Sequence, residues 1–198
     1  MPTFDYPKNQ IHPTQVPVIK ELVDLIDAKK IVEIGSWMGE STSHWANAIK
    51  DKPGAMVYAV DWFEGNKGTA LEPLAKDGHI YTMFKNNIKE LGLEPYVQTF
   101  YMKSLDAAQY INDNSLDIVY IDASHDYDSV KADINAWFPK VRYGGIMCGH
   151  DCEDITYDER YIHQDVVDHK HHGVIKAVTE KFPAFNIKER IWWLYKWK

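Results

Sequence analysis

The apolar run Ile31-Val-Glu-Ile34 stops at Gly35, and Gly39 follows after Ser36-Trp37-Met38. A helix-like stretch, Glu40-Ser-Thr-Ser-His-Trp-Ala46, begins at once. That is a strand, a tight glycine turn and a helix N-terminus. Neither glycine has a Cβ, so backbone and ligand can approach closely at the turn. Glu33 sits two residues before the first glycine. A phosphate cradle uses exposed N–H groups and often a lysine. A carboxylate beside the turn favours a ligand that carries an ammonium or hydroxyls.

The rest of the chain repeats this alternation. Residues 1–13, with Pro2, Pro7 and Pro13, read as an irregular N-terminal segment, and 14–198 as one domain. Thr14 is placed to cap a helix whose Val18, Ile19, Leu22, Val23, Leu25 and Ile26 recur at helical spacing. Strands are expected at 31–34, 55–60, 96–102, 116–121 and 146–149. Helices are expected after the glycine turn to Ile49, at 81–91 (stopped by Gly92), at 104–111 (capped by Ser104), at 130–138 and at 174–182. Residues 62–78 read as a long loop and 152–172 as a polar irregular one. Residues 185–187 and 191–197 read as a closing hairpin. This order predicts an α/β, Rossmann-like fold: a seven-stranded, mostly parallel sheet with helices on both faces and a C-terminal antiparallel hairpin. Ligands of such sheets lie beyond the carboxyl ends of the strands, near the switch in strand order. Gly35, Asp61, Ser104, Asp122 and Asp151 all follow predicted strand ends.

Composition narrows the partners. The chain has 198 residues, 45% hydrophobic and 26% charged, with net charge −7. With no basic tract, backbone-driven nucleic-acid binding is not expected. No apolar run reaches the ~20 residues that span a bilayer, and the N-terminus lacks the layout of a signal peptide. Cys148 and Cys152 match neither a zinc knuckle nor a redox Cys-x-x-Cys, and read as free thiols. A soluble, cytoplasmic protein is expected, and a homo-oligomer is left open.

Asp61, at the end of the second strand, is placed to accept both hydroxyls of an adenosine ribose. Trp37 stands where a dinucleotide fingerprint has its second glycine, which argues against a nicotinamide dehydrogenase. The pattern Glu33-x-Gly35-x-x-x-Gly39 with a distant Asp61 resembles the cofactor site of class I S-adenosylmethionine-dependent methyltransferases. "EIGSWMGEST" is similar to the branch that includes the catechol-type and macrolide-sugar O-methyltransferases. The block Leu116 to Asp151, with "DASHDY", "PKVRYGG" and a closing "HD", resembles the macrolide-sugar group, as does Gly173 to Phe182. The resemblance covers roughly residues 14 to 197.

The resemblance implies that S-adenosylmethionine lies on Glu33, Gly35, Ser36, Trp37, Gly39, Ser41, Asp61, Trp62, Ser104 and Asp122. Trp37 and Trp62 flank the motif and are candidates to pack on adenine, and Ser104 to bond its edge. Two strand-end carboxylates side by side suit a hard divalent cation. The resemblance implies the same for Asp122 and Asp151, with His150 standing where relatives have a carboxylate. Imidazole suits transition ions better than Mg2+, so the expectation is Mg2+ or another divalent metal, Mn2+ or a transition ion among them, with an empty site as the alternative. Asp126, Asp128, Glu153 and Asp154 are nearby substitutes. His125, with Asp122, is the catalytic pair: a loop histidine able to take a proton from a hydroxyl. The implied reaction is methyl transfer to a small hydroxylated molecule, a sugar or glycoside before a catechol-type phenol. The rival readings are a non-catalytic cofactor-binding module and a nucleotide-dependent oxidoreductase.

His163, His169, His171 and His172 read as a solvated loop, with a substrate lid as the functional alternative. Trp192-Trp193-Leu-Tyr-Lys-Trp197 reads as alternating burial in a final strand.

Overall fold

The computed structural model describes residues 11–65, 73, 75 and 78–197. Much of the expected 62–78 loop, and most of the expected irregular N-terminus, therefore lie outside the described residues. Helices α1 (Val16–Ile26), α2 (Glu40–Ile49), α3 (His79–Glu90), α4 (Ser104–Ala107), α5 (Tyr127–Trp137) and α6 (His172–Lys181) alternate with strands β1 (Lys30–Ile34), β2 (Met56–Asp61), β3 (Val97–Tyr101), β4 (Leu116–Ile121) and β5 (Val141–Gly149). Strands β6 (Asn186–Lys188) and β7 (Ile191–Tyr195) close the chain. The seven strands lie in the order β3-β2-β1-β4-β5-β7-β6. β1 to β5 run parallel, whereas β7 is antiparallel to β5 and β6 to β7.

Period-two alternation sends neighbouring side chains to opposite faces of the sheet, and both faces are apolar. Ile31, Val57, Ile118, Tyr120, Ile146 and Cys148 pack beneath α1, α2 and α3. Val32, Ile34, Val60, Val119, Ile121 and Met147 pack beneath α5 and α6. Trp192 joins the second face and Trp193 the first, so the terminal tryptophans alternate as expected.

Register sets the position of the site. Ile34 pairs with Val60 on one side and Ile121 on the other, and Ile121 pairs with Gly149. The next residue of each strand, Gly35, Asp61, Asp122 and His150, therefore falls on one row at the carboxyl edge. The row spans the β1/β4 switch in strand order, where ligands of such sheets bind.

Local readings fail in three places. Thr14 does not cap α1; the N-cap is Gln15, and Thr14 Oγ1 donates to Glu189 Oε2 at 2.6 Å. Ser104 is the first helical residue of α4, not its cap, which is Lys103. β5 begins at Val141, so Gly144-Gly145 lies inside a strand. In each case a tertiary partner overrides a local preference.

Candidate active site

The glycine turn is shaped by the protein's own backbone. Gly35 has φ +91°, and a Cβ built on it would sit 2.0 Å from the Asp122 carbonyl oxygen and 2.7 Å from Ala123 Cα. Gly39 has φ +88°, and its Cβ would meet the Phe84 ring at 3.0 Å. Close approach at this turn is thus approach by β4 and α3, not by a ligand alone. Asn87, buried on α3, donates its Nδ2 to Met38 O at 3.0 Å and pins the turn from above.

Asp61 ties the turn to β2. Its Oδ2 accepts the Trp37 N–H at 2.8 Å and its Oδ1 the Phe63 N–H at 2.6 Å. Trp37 and Phe63 both have positive φ, +44° and +54°, an uncommon conformation for aromatic residues that the carboxylate helps hold. Burial raises the Asp61 pKa, and the Phe63, Trp37, Ser36 and Trp62 N–H groups oppose that shift.

Glu33 lies fully buried beneath the turn. Its Oε2 accepts the Thr42 hydroxyl. Burial raises its carboxyl to about 7, opposed by the nearby hydroxyls of Ser41, Thr42 and Ser36, of which Ser36 stands close to the carboxylate without hydrogen-bond geometry. Glu33 Oε1 and Ser36 Oγ are buried without a hydrogen-bond partner among the described residues. Buried polar atoms are rarely left so, and each such atom needs an explanation. Ser41 is also buried, on the first turn of α2.

Ser104 and Trp62 are already engaged within the protein. The Ser104 hydroxyl donates to Asp133 Oδ1 at 2.5 Å and accepts from Trp137 Nε1 at 2.8 Å. Lys103 Nζ stands 5.3 Å from the centre of the Trp62 ring.

On the other half of the row, Asp122, His150 and Asp151 converge, with ligand atoms within 4.8 Å of one another. His125 lies over them. Its Nε2 contacts Asp151 Oδ2 at 2.9 Å and its Nδ1 contacts Asp165 Oδ1 at 2.5 Å. Burial disfavours charge on this ring, but the bonds to Asp151 and Asp165 outweigh it and raise the pKa to about 10. As arranged, His125 is an imidazolium with both N–H groups donated.

His150 is fixed differently. Gln15 Oε1 accepts from His12 N at 2.8 Å and its Nε2 donates to Glu189 O at 2.9 Å, which fixes the amide's orientation. The same Nε2 faces His150 Nε2 at 2.6 Å. His150 Nε2 is therefore an acceptor, and the ring's proton sits on Nδ1, 3.2 Å from Asp151 Oδ1 and 3.6 Å from Asp122 Oδ1. Burial opposes charge on this ring, but Asp122 and Asp151 outweigh it and raise its pKa to about 10; the Gln15 amide N–H, aimed at Nε2, pulls the other way, toward the neutral Nδ1–H tautomer.

A divalent cation does not fit this donor set as it stands. The two His150 nitrogens are taken by Gln15 and by the ring's own proton. Asp151 Oδ2 is held by His125, and Asp151 Oδ1 accepts from Arg190 Nη2. Of the nearby substitutes, Asp126 caps α5 through Ser129 N and pairs with His163, and Asp154 pairs with Lys170. Glu153 accepts from His171 and pairs with Arg190.

Five contributors were not expected from the sequence: Gln15, Glu153 in its observed role, Asp165, His171 and Arg190. His163 and His169 are exposed, as a solvated loop requires, but His171 and His172 are buried. His171 contacts Glu153 Oε1 at 2.8 Å and Asp151 Oδ1 at 3.5 Å, and its ring stacks edge-on against His125. The signal for Arg190 was available. Gly149 pairs with Trp192 antiparallel, so the hairpin turn must reach the same edge as the end of β5. Gly173 is a further contributor, because a Cβ there would meet His125 O at 2.3 Å; α6 presses directly on the loop that carries His125.

Comparison with known proteins agrees with the fold. The structure is similar to the O-methyltransferase NovP (17% identity, TM-score 0.68, covering 93% of this chain and 80% of that one). It is similar to TomG of Streptomyces achromogenes in complex with SAM (16%, 0.68, 97% and 84%). It is also similar to an O-methyltransferase of Bacillus cereus in complex with SAH (19%, 0.66, 94% and 83%). At these identities the likeness is one of fold. An uncharacterized protein of Sinorhizobium fredii, y4gI, is 26% identical over 133 residues, 67% of this chain; the chain spans only 14% of that relative's length. Among the described residues no helix is long and apolar enough to cross a membrane. The family model described as "Methyltransferase domain" matches residues 32–152, more than half of the sequence, and the chain belongs to that family.

Proposed function

We propose that this methyltransferase moves a methyl group from S-adenosylmethionine to a hydroxyl of a small molecule, with a sugar or glycoside as the acceptor class. The observation that carries the cofactor reading is the pair of unpartnered buried atoms, Glu33 Oε1 and Ser36 Oγ, beneath a strained turn at the β1/β4 switch. An ammonium or hydroxyl donor at the turn supplies what Glu33 lacks. Asp61, whose carboxylate accepts the Trp37 and Phe63 N–H groups at the same edge, is the residue that the sequence pattern assigns to a ribose. The neighbouring folds whose structures hold SAM or SAH support the same cofactor. The sugar preference rests on the sequence resemblance to the macrolide-sugar group.

Bound S-adenosylmethionine supplies a methyl group on a sulfonium, ready for in-line displacement by oxygen. Asp122 orients the acceptor hydroxyl, and His125 removes its proton. In this reading the hydroxyl takes the place of Asp165, which is 57% exposed, at His125 Nδ1. Asp151 keeps Nε2–H, and the Nδ1 proton leaves to solvent as Asp165 is displaced. The Nδ1 lone pair then faces the hydroxyl, in the same logic by which a carboxylate orients a catalytic histidine. The C–O bond forms as the C–S bond breaks, and the hydroxyl proton ends on Nδ1. Most of the rate comes from positioning, and the base adds roughly 100- to 10,000-fold.

The test is transfer of labelled methyl from the cofactor to a set of hydroxylated sugars and phenols. His125→Ala should slow transfer by about 100-fold or more while S-adenosylhomocysteine affinity is unchanged. A loss of less than about tenfold in His125→Ala removes the base role, and cofactor binding by the wild type with no transfer to any acceptor leaves a binding module.

A further inference from the structure

We propose that Arg190 takes the place of a divalent cation at this edge. Its guanidinium bridges Asp151 and Glu153 and supplies the positive charge at the Asp151 end of the site, so the site works without metal. This inference rests on the reading of the Asp122 edge as the acceptor site.

The bridge is built into the fold. Arg190 Nη2 donates to Asp151 Oδ1, lies 2.8 Å from Glu153 Oε1 and is 3.2 Å from His171 Nδ1. The turn that delivers it is anchored at three points: Gln15 Nε2 to Glu189 O at 2.9 Å, Thr14 Oγ1 to Glu189 Oε2 at 2.6 Å, and Cys152 N to Arg190 O at 3.1 Å. Glu189, Arg190 and Asp151 all have positive φ, +52°, +66° and +57°. For Glu189 and Arg190 this is the type I′ geometry of a two-residue hairpin between Lys188 and Ile191, which fixes the direction in which Arg190 leaves the turn.

Chemistry supports the substitution. A guanidinium keeps its charge at every working pH and binds carboxylates through a rigid fork. It occupies Asp151, the carboxylate shared by two donor groups that could otherwise take an ion here, Asp122–His150–Asp151 and Asp151–Glu153–His171, and Glu153 in the second; the third, His125–Asp165–His171, it meets only through His171 Nδ1. A cation entering either group would meet Arg190 at contact distance, and that repulsion is only partly screened because Arg190 is 44% exposed. Arg190 is a positioning residue: it holds Asp151, which in turn holds His125.

The experiment is a calorimetric and electron paramagnetic resonance titration of the full chain with Mn2+ alone, alongside metal content as purified. The wild-type protein should carry no stoichiometric metal and bind Mn2+ only weakly. Arg190→Gln removes the charge and should tighten Mn2+ binding by at least about tenfold, whereas Arg190→Lys should not. One tightly held equivalent of metal in the wild type overturns the inference, and this arm decides the matter even if Arg190→Gln fails to fold. A folded Arg190→Gln with no gain in Mn2+ affinity also overturns it. S-adenosylhomocysteine affinity, measured on the same samples, reports the cofactor reading independently, so failure of one is not mistaken for failure of the other.

Discussion

The Cβ that Gly35 lacks would sit 2.0 Å from the carbonyl oxygen of Asp122. The turn proposed to hold the cofactor and the strand end proposed to hold the acceptor are therefore in backbone contact. Asp122 N donates to Ile34 O at 2.8 Å one residue away, which locks the two loops in register.

Gly35→Ala should damage both halves. The added methyl meets backbone that cannot swing aside, at a φ of +91° that alanine disfavours. We expect a loss of about 2–4 kcal/mol in urea unfolding, with loss of S-adenosylhomocysteine binding in whatever folds. An alanine variant of wild-type stability and affinity would show that the contact is relieved by a shift of the loop.

Asp133 gives a pH test of stability. Burial raises its carboxyl from 3.8 to about 6, against the pull of the Ser104 hydroxyl. The folded chain thus holds this proton more tightly than the unfolded one. The stability it contributes is full below pH 3.8 and is lost as pH rises through about 6. Asp133→Asn keeps an acceptor for Ser104 and removes the titration. Thermal melts should show the variant gaining on wild type by up to about 3 kcal/mol between pH 4 and pH 8. An equal gap at both pH values contradicts the assignment.

Asp165 tests the histidine. Asp165→Ala removes one of the two carboxylates that hold His125 charged, so the His125 pKa should fall. A base acts only when deprotonated. The acid limb of the kcat/KM profile should therefore move to lower pH, by about one unit or more. An unmoved limb means that another group sets it.

The legible parts of this site are those that strand register alone brings together. Gly35, Asp61, Asp122 and His150 follow buried apolar strands and needed only the strand order to become one row. Glu33 was legible as important, but not as a group buried under the turn and bonded to Thr42. Asp165 and His171 are not legible because their partners lie 18 to 46 residues away across loops that carry no periodicity; Arg190 is legible only through the register of the closing hairpin. His171 looked solvated because its neighbours in sequence are polar; Glu153 and Arg190 bury it. Thr14 and Ser104 carried capping signals, yet Glu189 and Asp133 claimed their hydroxyls.

The most direct measurement is a calorimetric titration of the full chain with S-adenosylhomocysteine and, separately, with NAD, for wild type and Glu33→Gln. Gln keeps an acceptor for Thr42 and removes the charge that an ammonium needs. Wild type should bind S-adenosylhomocysteine and not NAD, and Glu33→Gln should weaken that binding by about tenfold or more while remaining folded. Tight NAD binding without S-adenosylhomocysteine binding, or an unchanged affinity in Glu33→Gln, would contradict the assignment of the Glu33–Gly39 turn.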